Sequence, residues 1–188
     1  MAIITTTLKA LRDHKACVSG YNRLACHVTG NAYAEFRKGY VRYRYNEPIS
    51  LFSILLSNGI DDALWALRAC PQTPEMVRAE RLFAVWCARQ VPQLMNDERI
   101  VEALNVAEKH ANGCATDDEL TAARVSSWGA ASLAALDVAW AAAWNAAFAA
   151  ARDTDKESAR EAQSQMFIKV FCGDSINLEP MLTTQTFA

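Results

Sequence analysis

The chain has 188 residues, of which 52% are hydrophobic, with only 7 Gly and 5 Pro. This composition predicts a folded protein with a sizeable core and argues against a disordered chain. The formal net charge of −2 is nearly balanced, so the protein as a whole has no field that attracts nucleic acid or an anionic membrane.

The sequence predicts a cytoplasmic protein. Its first residues lack the basic start and long apolar stretch of a secretory signal. Residues 129–151 carry only one charge, Asp137, but alanine is barely apolar. A carboxylate at the bilayer centre costs about 2.5–3.5 kcal/mol on insertion scales, which disfavours a membrane span. The six cysteines form no Cys-x-x-Cys pair and mostly lie in apolar helical patterns, so we expect reduced, packed thiols.

Two short helices are predicted at the start of the chain. Thr7 can cap a helix over residues 8–14, in which Leu8 faces inward. A second helix is predicted from about residue 17 to residue 28, and Gly30 follows its end.

Residues 33–45, here called the basic-aromatic segment, form the most basic and least regular part of the chain. Its aromatic and cationic residues interleave: Tyr33, Phe36, Tyr40, Tyr43 and Tyr45 with Arg37, Lys38, Arg42 and Arg44. The last five residues alternate like a strand, whereas the first part is compatible with a helix. Two interpretations stay open: a lid whose tyrosines pack on the helices, or a surface that binds nucleic acid or an acidic protein.

Two apolar helices are predicted next. Pro48 precedes a short helix over residues 49–56. Asp61 and Asp62 begin a second one, which stops before Pro71.

Two further helices have clear start signals. Thr73 is a cap with proline at the first helical position, and the helix runs to about residue 90. Its predicted buried residues are Val77, Leu82, Phe83, Val85 and Trp86. Asp97 opens the next helix, predicted over residues 100–112 and ended by Gly113.

The longest predicted helix, residues 117–152, organises the fold. Thr116 and Glu119 form a capping box, and Asp117 and Asp118 add negative charge to the first turn. No proline interrupts the alanine-rich run that follows, and 35 residues span roughly 50 Å. A stripe with a four-residue period lies along it: Trp128, Ser132, Leu136, Trp140, Trp144 and Phe148.

A last helix is predicted over residues 156–171, and residues 173–188 are predicted to be a tail. Strand signals are nearly absent. We therefore predict an all-α fold, a single domain over residues 1–172 with six to eight helices around the long one.

The sequence predicts no catalytic residue, metal ligand or cofactor. The three histidines, His14, His27 and His110, lack the paired spacing of a zinc site. No phosphate-binding glycine loop or glycine-flanked nucleophile is present. Carboxylates cluster only at helix starts, where capping explains them. Asp137 can pair with one of four arginines: Arg68, Arg81, Arg89 or Arg99.

Much of the chain from residue 61 to residue 171 carries a familiar pattern. Its parts are Asp62-Ala-Leu-Trp-Ala-Leu-Arg68, Arg81-Leu-Phe-Ala-Val-Trp-Cys-Ala-Arg-Gln-Val91, Asp97-Glu-Arg-Ile-Val-Glu-Ala-Leu104, Asn112-Gly-Cys-Ala-Thr-Asp-Asp-Glu-Leu-Thr-Ala-Ala-Arg124, the Ala/Trp helix and Glu161-Ala-Gln163. The order resembles an all-helical immunity protein family of bacterial toxin systems and similar phage-encoded proteins. The resemblance implies a non-catalytic protein that binds a toxin or effector and blocks it.

The leading hypothesis is thus a cytoplasmic inhibitor of a toxin or, if phage-encoded, of a defence nuclease complex (an anti-CRISPR-like role). The residues expected to contact a partner are Arg37, Lys38, Tyr40, Arg42, Tyr43, Arg44, Asp61, Asp62, Asp97 and Glu98. The alternatives are a nucleic-acid-binding module that uses the basic-aromatic segment, and an enzyme of unrecognised type. The Ala/Trp helix also packs well across a two-fold axis, so a homodimer is a further expectation.

Overall fold

A computed structural model describes residues 4–33, 38–90, 96–127 and 153–173. In these ranges the protein has eight α-helices and one two-stranded sheet, so the predicted all-α fold class is confirmed. The chain divides into two compact units: unit 1 comprises Met1–Pro71 and Ser164–Ala188, and unit 2 comprises Gln72–Gln163. The single domain over residues 1–172 stays a prediction. Among the described residues, no helix has the length and apolarity needed to cross a membrane, and residues 129–151 lie outside them.

Unit 1 is built from short helices. They are α1 (Leu8–Asp13), α2 (Val18–Thr29), α3 (Leu51–Asn58) and α4 (Ile60–Ala66), which continues into a 3₁₀ turn, Leu67–Ala69. The predicted cap of α1 is confirmed, because the Thr7 hydroxyl accepts a hydrogen bond from the Ala10 N–H at 3.1 Å. The α2 helix ends at Gly30, which takes the left-handed conformation (φ 69°) as predicted.

The predicted helix over residues 49–56 begins two residues late. Ile49–Ser50 form strand β2, which pairs antiparallel with strand β1, Thr5–Thr6. Ser50 is extended and its hydroxyl accepts a hydrogen bond from the Ser53 N–H at 3.1 Å, so it caps α3 from outside. Ile49 is buried in the strand conformation, and its apolar side chain alone could not distinguish strand from helix.

Unit 2 contains α5 (Pro74–Arg89), α6 (Glu98–Ala111), α7 (Asp117–Ser127) and the first part of α8 (Asp153–Phe167). Thr73 and Asp97 cap α5 and α6 as predicted. The predicted buried face of α5 is only partly correct, because Val77 is 39% exposed and Leu82 and Trp86 are half-buried. The residues that α5 buries are Met76, Ala79, Phe83, Ala84, Val85, Cys87 and Ala88. Val77 directly follows Met76, so it lies about 100° away from it around the helix and falls on the exposed side.

The capping box of α7 is confirmed. The Thr116 N–H donates to Glu119 Oε2 at 2.7 Å, and the Glu119 N–H donates to Thr116 Oγ1 at 3.2 Å. The hydrogen bonds that the Thr116 N–H and the Thr116 hydroxyl donate to Glu119 Oε2 hold the pKa of this exposed carboxyl below its ordinary value. Helix is confirmed over Asp117–Ser127; residues 128–152, with the tryptophan stripe and Asp137, lie outside the described residues.

The α8 helix starts at residue 153, three residues before the predicted start, and ends in one turn of π-helix, Ile168–Cys172. In this helix Phe167 is fully buried, whereas Ala162 is exposed. The face that α8 and the π-turn bury is formed by Gln163, Phe167, Ile168, Phe171 and Cys172. The predicted tail lies outside the described residues beyond residue 173.

The cysteines fall into two classes by exposure, and this gives a testable prediction. Cys26, Cys70, Cys87 and Cys172 are buried, whereas Cys17 and Cys114 are exposed. Burial raises the pKa of the Cys87 and Cys172 thiols to about 12, and the thiolate is the form that reacts.

We expect iodoacetamide to label Cys17 and Cys114 of the native protein at neutral pH much faster than the four buried thiols. Mass spectrometry of the tryptic peptides measures the two classes, and the urea-unfolded protein, in which all six thiols react, is the control. Fast labelling of Cys87 in the native protein would contradict the packing of α5.

Candidate functional site

The basic-aromatic segment is anchored by a buried asparagine of α2. Asn22 is only 2% exposed. Its Nδ2 donates to the Gly39 carbonyl oxygen at 2.9 Å, and its Oδ1 accepts from the Val41 N–H at 2.8 Å. One side chain therefore holds the backbone on both sides of Tyr40.

Two further contacts, one of its hydroxyl and one of its ring, hold Tyr40 in place. Its hydroxyl donates to the Ala16 carbonyl oxygen at 2.5 Å, and its ring packs edge-on against Tyr21 with 4.9 Å between centroids. Burial raises the pKa of the Tyr21 hydroxyl, against a smaller lowering by Arg12. Residues 39–41, in the middle of the segment, are thus fixed against α2 and the turn before it.

From residue 41 the segment alternates between buried and exposed side chains without forming a strand. Val41 is buried and Tyr43 and Tyr45 are half-buried, whereas Arg42 and Arg44 are exposed. The predicted alternation is therefore present in the burial of the side chains. The tyrosines pack inward, as the lid interpretation expects, and the arginines lie outward, as the binding interpretation expects. Lys38 is exposed, and Arg37 lies outside the described residues.

A strained residue lies beside this segment. Lys15 has φ 63°, and every other described residue with a positive φ is glycine. At the end of α1, the Ala16 N–H donates to the Leu11 carbonyl oxygen at 3.0 Å, an arrangement that usually places glycine at the position of Lys15. A side chain there costs about 1 kcal/mol. Lys15 directly precedes Ala16, whose carbonyl oxygen binds the Tyr40 hydroxyl, so the backbone of Lys15 lies close to the segment.

Asp62, a predicted contact residue, lies in a small pocket of unit 1 between α2, α3 and α4. Asn58 Nδ2 donates to Asp62 Oδ2 and to the Gly20 carbonyl oxygen, both at 2.7 Å. A Cβ added to Gly20 would lie 2.5 Å from Asp62 Oδ2 and 3.0 Å from Cys17 Sγ. Only glycine leaves room for this carboxylate beside α2. Asp61, the other predicted contact residue in this helix start, is exposed and does not line the pocket.

In unit 2 the arginines of α5 bind side chains of α6. Arg78 donates to Asn112 at 2.7 Å, and Arg81 bonds to His110 Nδ1. Arg89 donates to Glu108 at 2.6 Å and to Asn105 at 3.1 Å. Of the four arginines considered as partners of Asp137, three have other partners: Arg81, Arg89 and, at the start of α6, Arg99.

His110 connects these contacts between α5 and α6 to α7. Its Nε2 bonds to Asp117 Oδ1 at 2.7 Å, while its Nδ1 faces Arg81. Because an arginine only donates, Nδ1 must accept, and the proton of the neutral ring lies on Nε2 and points to Asp117. This chain of polar contacts has a structural explanation, since it joins three packed helices.

Asp97 and Glu98, the remaining predicted contact residues, differ in their surroundings. Asp97 caps α6, and both its oxygens bind the Arg99 guanidinium, at 3.1 and 2.8 Å. This guanidinium holds the pKa of the exposed Asp97 carboxyl below its usual range. Glu98 is exposed and, in the described part of the chain, has no ion pair.

The described residues contain no cluster of three or more side chains that could hold a metal ion. No protein-family model matches the chain, and no curated protein or solved structure is significantly similar to it. The resemblance to helical immunity proteins stays a prediction.

Proposed function

We propose that this chain is a non-catalytic binding protein that occludes the working surface of a protein target, as the resemblance to immunity proteins implies. The target is a toxin or defence effector whose working surface is basic because it binds nucleic acid. The observation that carries this proposal is the charge of unit 2, Gln72–Gln163, which holds fourteen Asp and Glu against nine Lys and Arg.

Part of this negative charge is exposed on α6 and α7. The arginines of α5 bind side chains of α6 and of its C-cap Asn112, and Arg78 and Arg89 are themselves exposed. Glu98 and Glu102 lie four residues apart on one face of α6, and Asp118 lies in the first turn of α7. All three are exposed and, within the described ranges, take part in no ion pair. We call these three residues the acidic surface.

Such a surface can block a nucleic-acid site by offering carboxylates where phosphates would bind. Electrostatic complementarity of this kind raises the association rate and selects the partner. Helices that are already folded and capped also lose little ordering entropy on binding. The association should weaken as ionic strength rises, because exposed charges are screened by salt.

The test is affinity capture with the tagged full chain from the cell that produces it, followed by cross-linking and mass spectrometry. We expect a basic, nucleic-acid-binding protein whose cross-links map to α6 and α7. The triple variant Glu98→Gln, Glu102→Gln, Asp118→Asn should reduce its affinity at least tenfold in moderate salt.

A matched control removes the same number of charges elsewhere. The triple variant Asp13→Asn, Glu47→Gln, Glu157→Gln changes three exposed carboxylates outside the acidic surface and should leave affinity within about twofold. Equal capture by both triple variants, or cross-links only to unit 1, would overturn the proposal.

A second candidate function, nucleic-acid binding, is favoured by one specific observation in unit 1. Lys15, which precedes the Ala16 that binds Tyr40, has a cationic side chain on a strained backbone, and Arg42 and Arg44 of the segment are exposed. Glycine would adopt this positive φ with less strain than lysine. A binding function of the positive charge would explain why lysine occupies the position.

Fluorescence anisotropy with a labelled single-stranded oligonucleotide tests this function. Binding should weaken steeply with salt and disappear when Arg37, Lys38, Arg42 and Arg44 are all changed to alanine. Lys15→Gly should weaken binding while raising the stability of the protein by about 1 kcal/mol, and Lys15→Arg should preserve binding. Binding that is equal in the quadruple variant and the unaltered protein would exclude this function.

A further inference from the structure

The pocket beside Asp62 has the composition of a ligand site. Its volume is about 70 Å³, and its apolar lining includes Leu11, Leu24, Ile54 and the ring of Trp65. A group the size of a water molecule needs about 10–15 Å³ of cavity volume, so the pocket accommodates roughly five such groups. Apolar walls with a few convergent polar groups are typical of sites that bind small organic groups.

Among the described residues, no cationic side chain balances the charge of Asp62 at the pocket. Asp62 receives a hydrogen bond from the neutral amide of Asn58, and in the described part of the chain no lysine or arginine pairs with it. The nearby Arg68 guanidinium lies over the Trp65 ring, 5.0 Å from its centroid. A half-buried carboxylate beside apolar walls disfavours anions and gains most from a cation that brings its own apolar stem.

We propose that this pocket binds a primary alkylammonium group. The alkyl stem lies against Leu11, Leu24 and Ile54, and the ammonium donates to Asp62. A lysine side chain has five non-hydrogen atoms beyond Cα, which agrees with the size of the cavity.

The geometry of the carboxylate selects ammonium over guanidinium. A guanidinium binds a carboxylate best through two parallel hydrogen bonds, one to each oxygen. Asn58 already donates to Asp62 Oδ2 at 2.7 Å, and Asn58 is itself fixed by its bond to the Gly20 carbonyl oxygen. Oδ1 is left as the main acceptor, which suits the single-point contact of an ammonium.

The close approach of α2 keeps the pocket open. Gly20 has a polar oxygen of Asp62 where any side chain would begin, so substitution there must displace the carboxylate. Alanine at this position should fill the pocket and move Asp62 away from Asn58. The glycine thus has a role in the site besides helix packing.

The probe is n-butylammonium, titrated into the ¹⁵N-labelled full chain and followed by NMR. We expect saturable shifts at the Trp65 indole N–H, the Asn58 side-chain amide and the Gly20 amide, with a Kd on the order of 1–10 mM, as befits so small a ligand. The neutral isostere 1-butanol should bind at least tenfold more weakly. Ethylguanidinium should also bind more weakly than n-butylammonium.

Two aspartate variants distinguish binding inside the pocket from attraction of the cation by the general charge of the protein. Asp62→Asn should weaken n-butylammonium binding at least tenfold, whereas Asp61→Asn, which removes the same charge next door, should change it less than twofold. Gly20→Ala, which fills the space without removing charge, should abolish the shifts. Equal binding of n-butylammonium and 1-butanol, or equal effects of the two aspartate variants, would overturn the proposal.

Two sources of the ammonium group are distinguished by further ligands. A lysine capped at both termini represents the side chain of a partner protein, and cadaverine represents a free amine. Tighter binding of the capped lysine favours a protein partner, and tighter binding of cadaverine favours a small metabolite. This site is independent of the acidic surface of unit 2, so either proposal can fail without the other.

Discussion

Phe167→Ala is expected to lower the free energy of unfolding by about 3–5 kcal/mol, the largest effect of any single substitution argued from this fold. Phe167 is 0% exposed, and its ring lies 4.8 Å from that of Phe171, centroid to centroid. The π-turn that follows it packs against α3 in unit 1. Alanine would leave a cavity the size of a phenyl ring and remove the aromatic contact as well.

Urea denaturation followed by circular dichroism measures the loss, and hydrogen exchange of the α3 amides reports whether α3 loosens with it. Phe167→Leu, which keeps most of the apolar volume, should give a smaller loss. Lys169→Ala, an exposed change in the π-turn, should shift stability by less than about 0.5 kcal/mol. A loss under 1 kcal/mol for Phe167→Ala would show that the end of α8 is not part of the core.

Helix starts were predictable because their signals are local. Thr7, Thr73, Asp97 and the Thr116–Glu119 box all act within three residues of the helix they begin, so the sequence contains the whole interaction. The signal of a glycine with a positive φ at a helix end is equally local, so the end of the helix is also predictable. The helical fold class followed from these signals together with the nearly absent strand pattern.

Features that depend on distant contacts were not predictable. Ile49 and Ser50 become a strand because Thr5 and Thr6, more than forty residues away, offer a partner for the backbone. Val77 is apolar, but it lies outside the stripe of α5 that the tertiary packing buries. Local propensity is overridden by packing in both cases.

The candidate sites also combine residues that local sequence could predict with residues whose role depends on distant contacts. The basic-aromatic segment and Asp62 could be recognised from composition and from a helix start. Asn22, Asn58 and Gly20, which position them, could not, because single polar or small residues inside helices carry no signal of their partners. Asn22 offered one weak sign, a polar residue between the apolar Tyr21 and Leu24. Lys15 could not be recognised from the sequence either, because only its positive φ distinguishes it from other lysines.

Asn22→Ala is the second large effect and links stability to the surface of unit 1. The substitution leaves the Gly39 carbonyl oxygen and the buried Val41 N–H without the partners they have in α2. Each buried backbone group that loses its hydrogen bond costs about 1–3 kcal/mol, so the free energy of unfolding should fall by about 2–4 kcal/mol. The structural consequence should be confined to the segment that Asn22 holds.

Hydrogen exchange of the Val41 amide gives the most direct measurement, since its protection depends on Asn22 Oδ1. We expect protection at Val41 to fall by at least tenfold more than at Leu24, which is buried in the same helix. Asn31→Ala, an exposed asparagine that bonds only within the end of α2, is the matched control and should change stability by less than about 0.5 kcal/mol. If oligonucleotide binding is lost in Asn22→Ala although Arg42 and Arg44 are intact, then the arginines work only when the segment is held. If Val41 stays protected, Tyr40 and its contacts hold the segment without Asn22, and the anchoring role proposed for Asn22 is wrong.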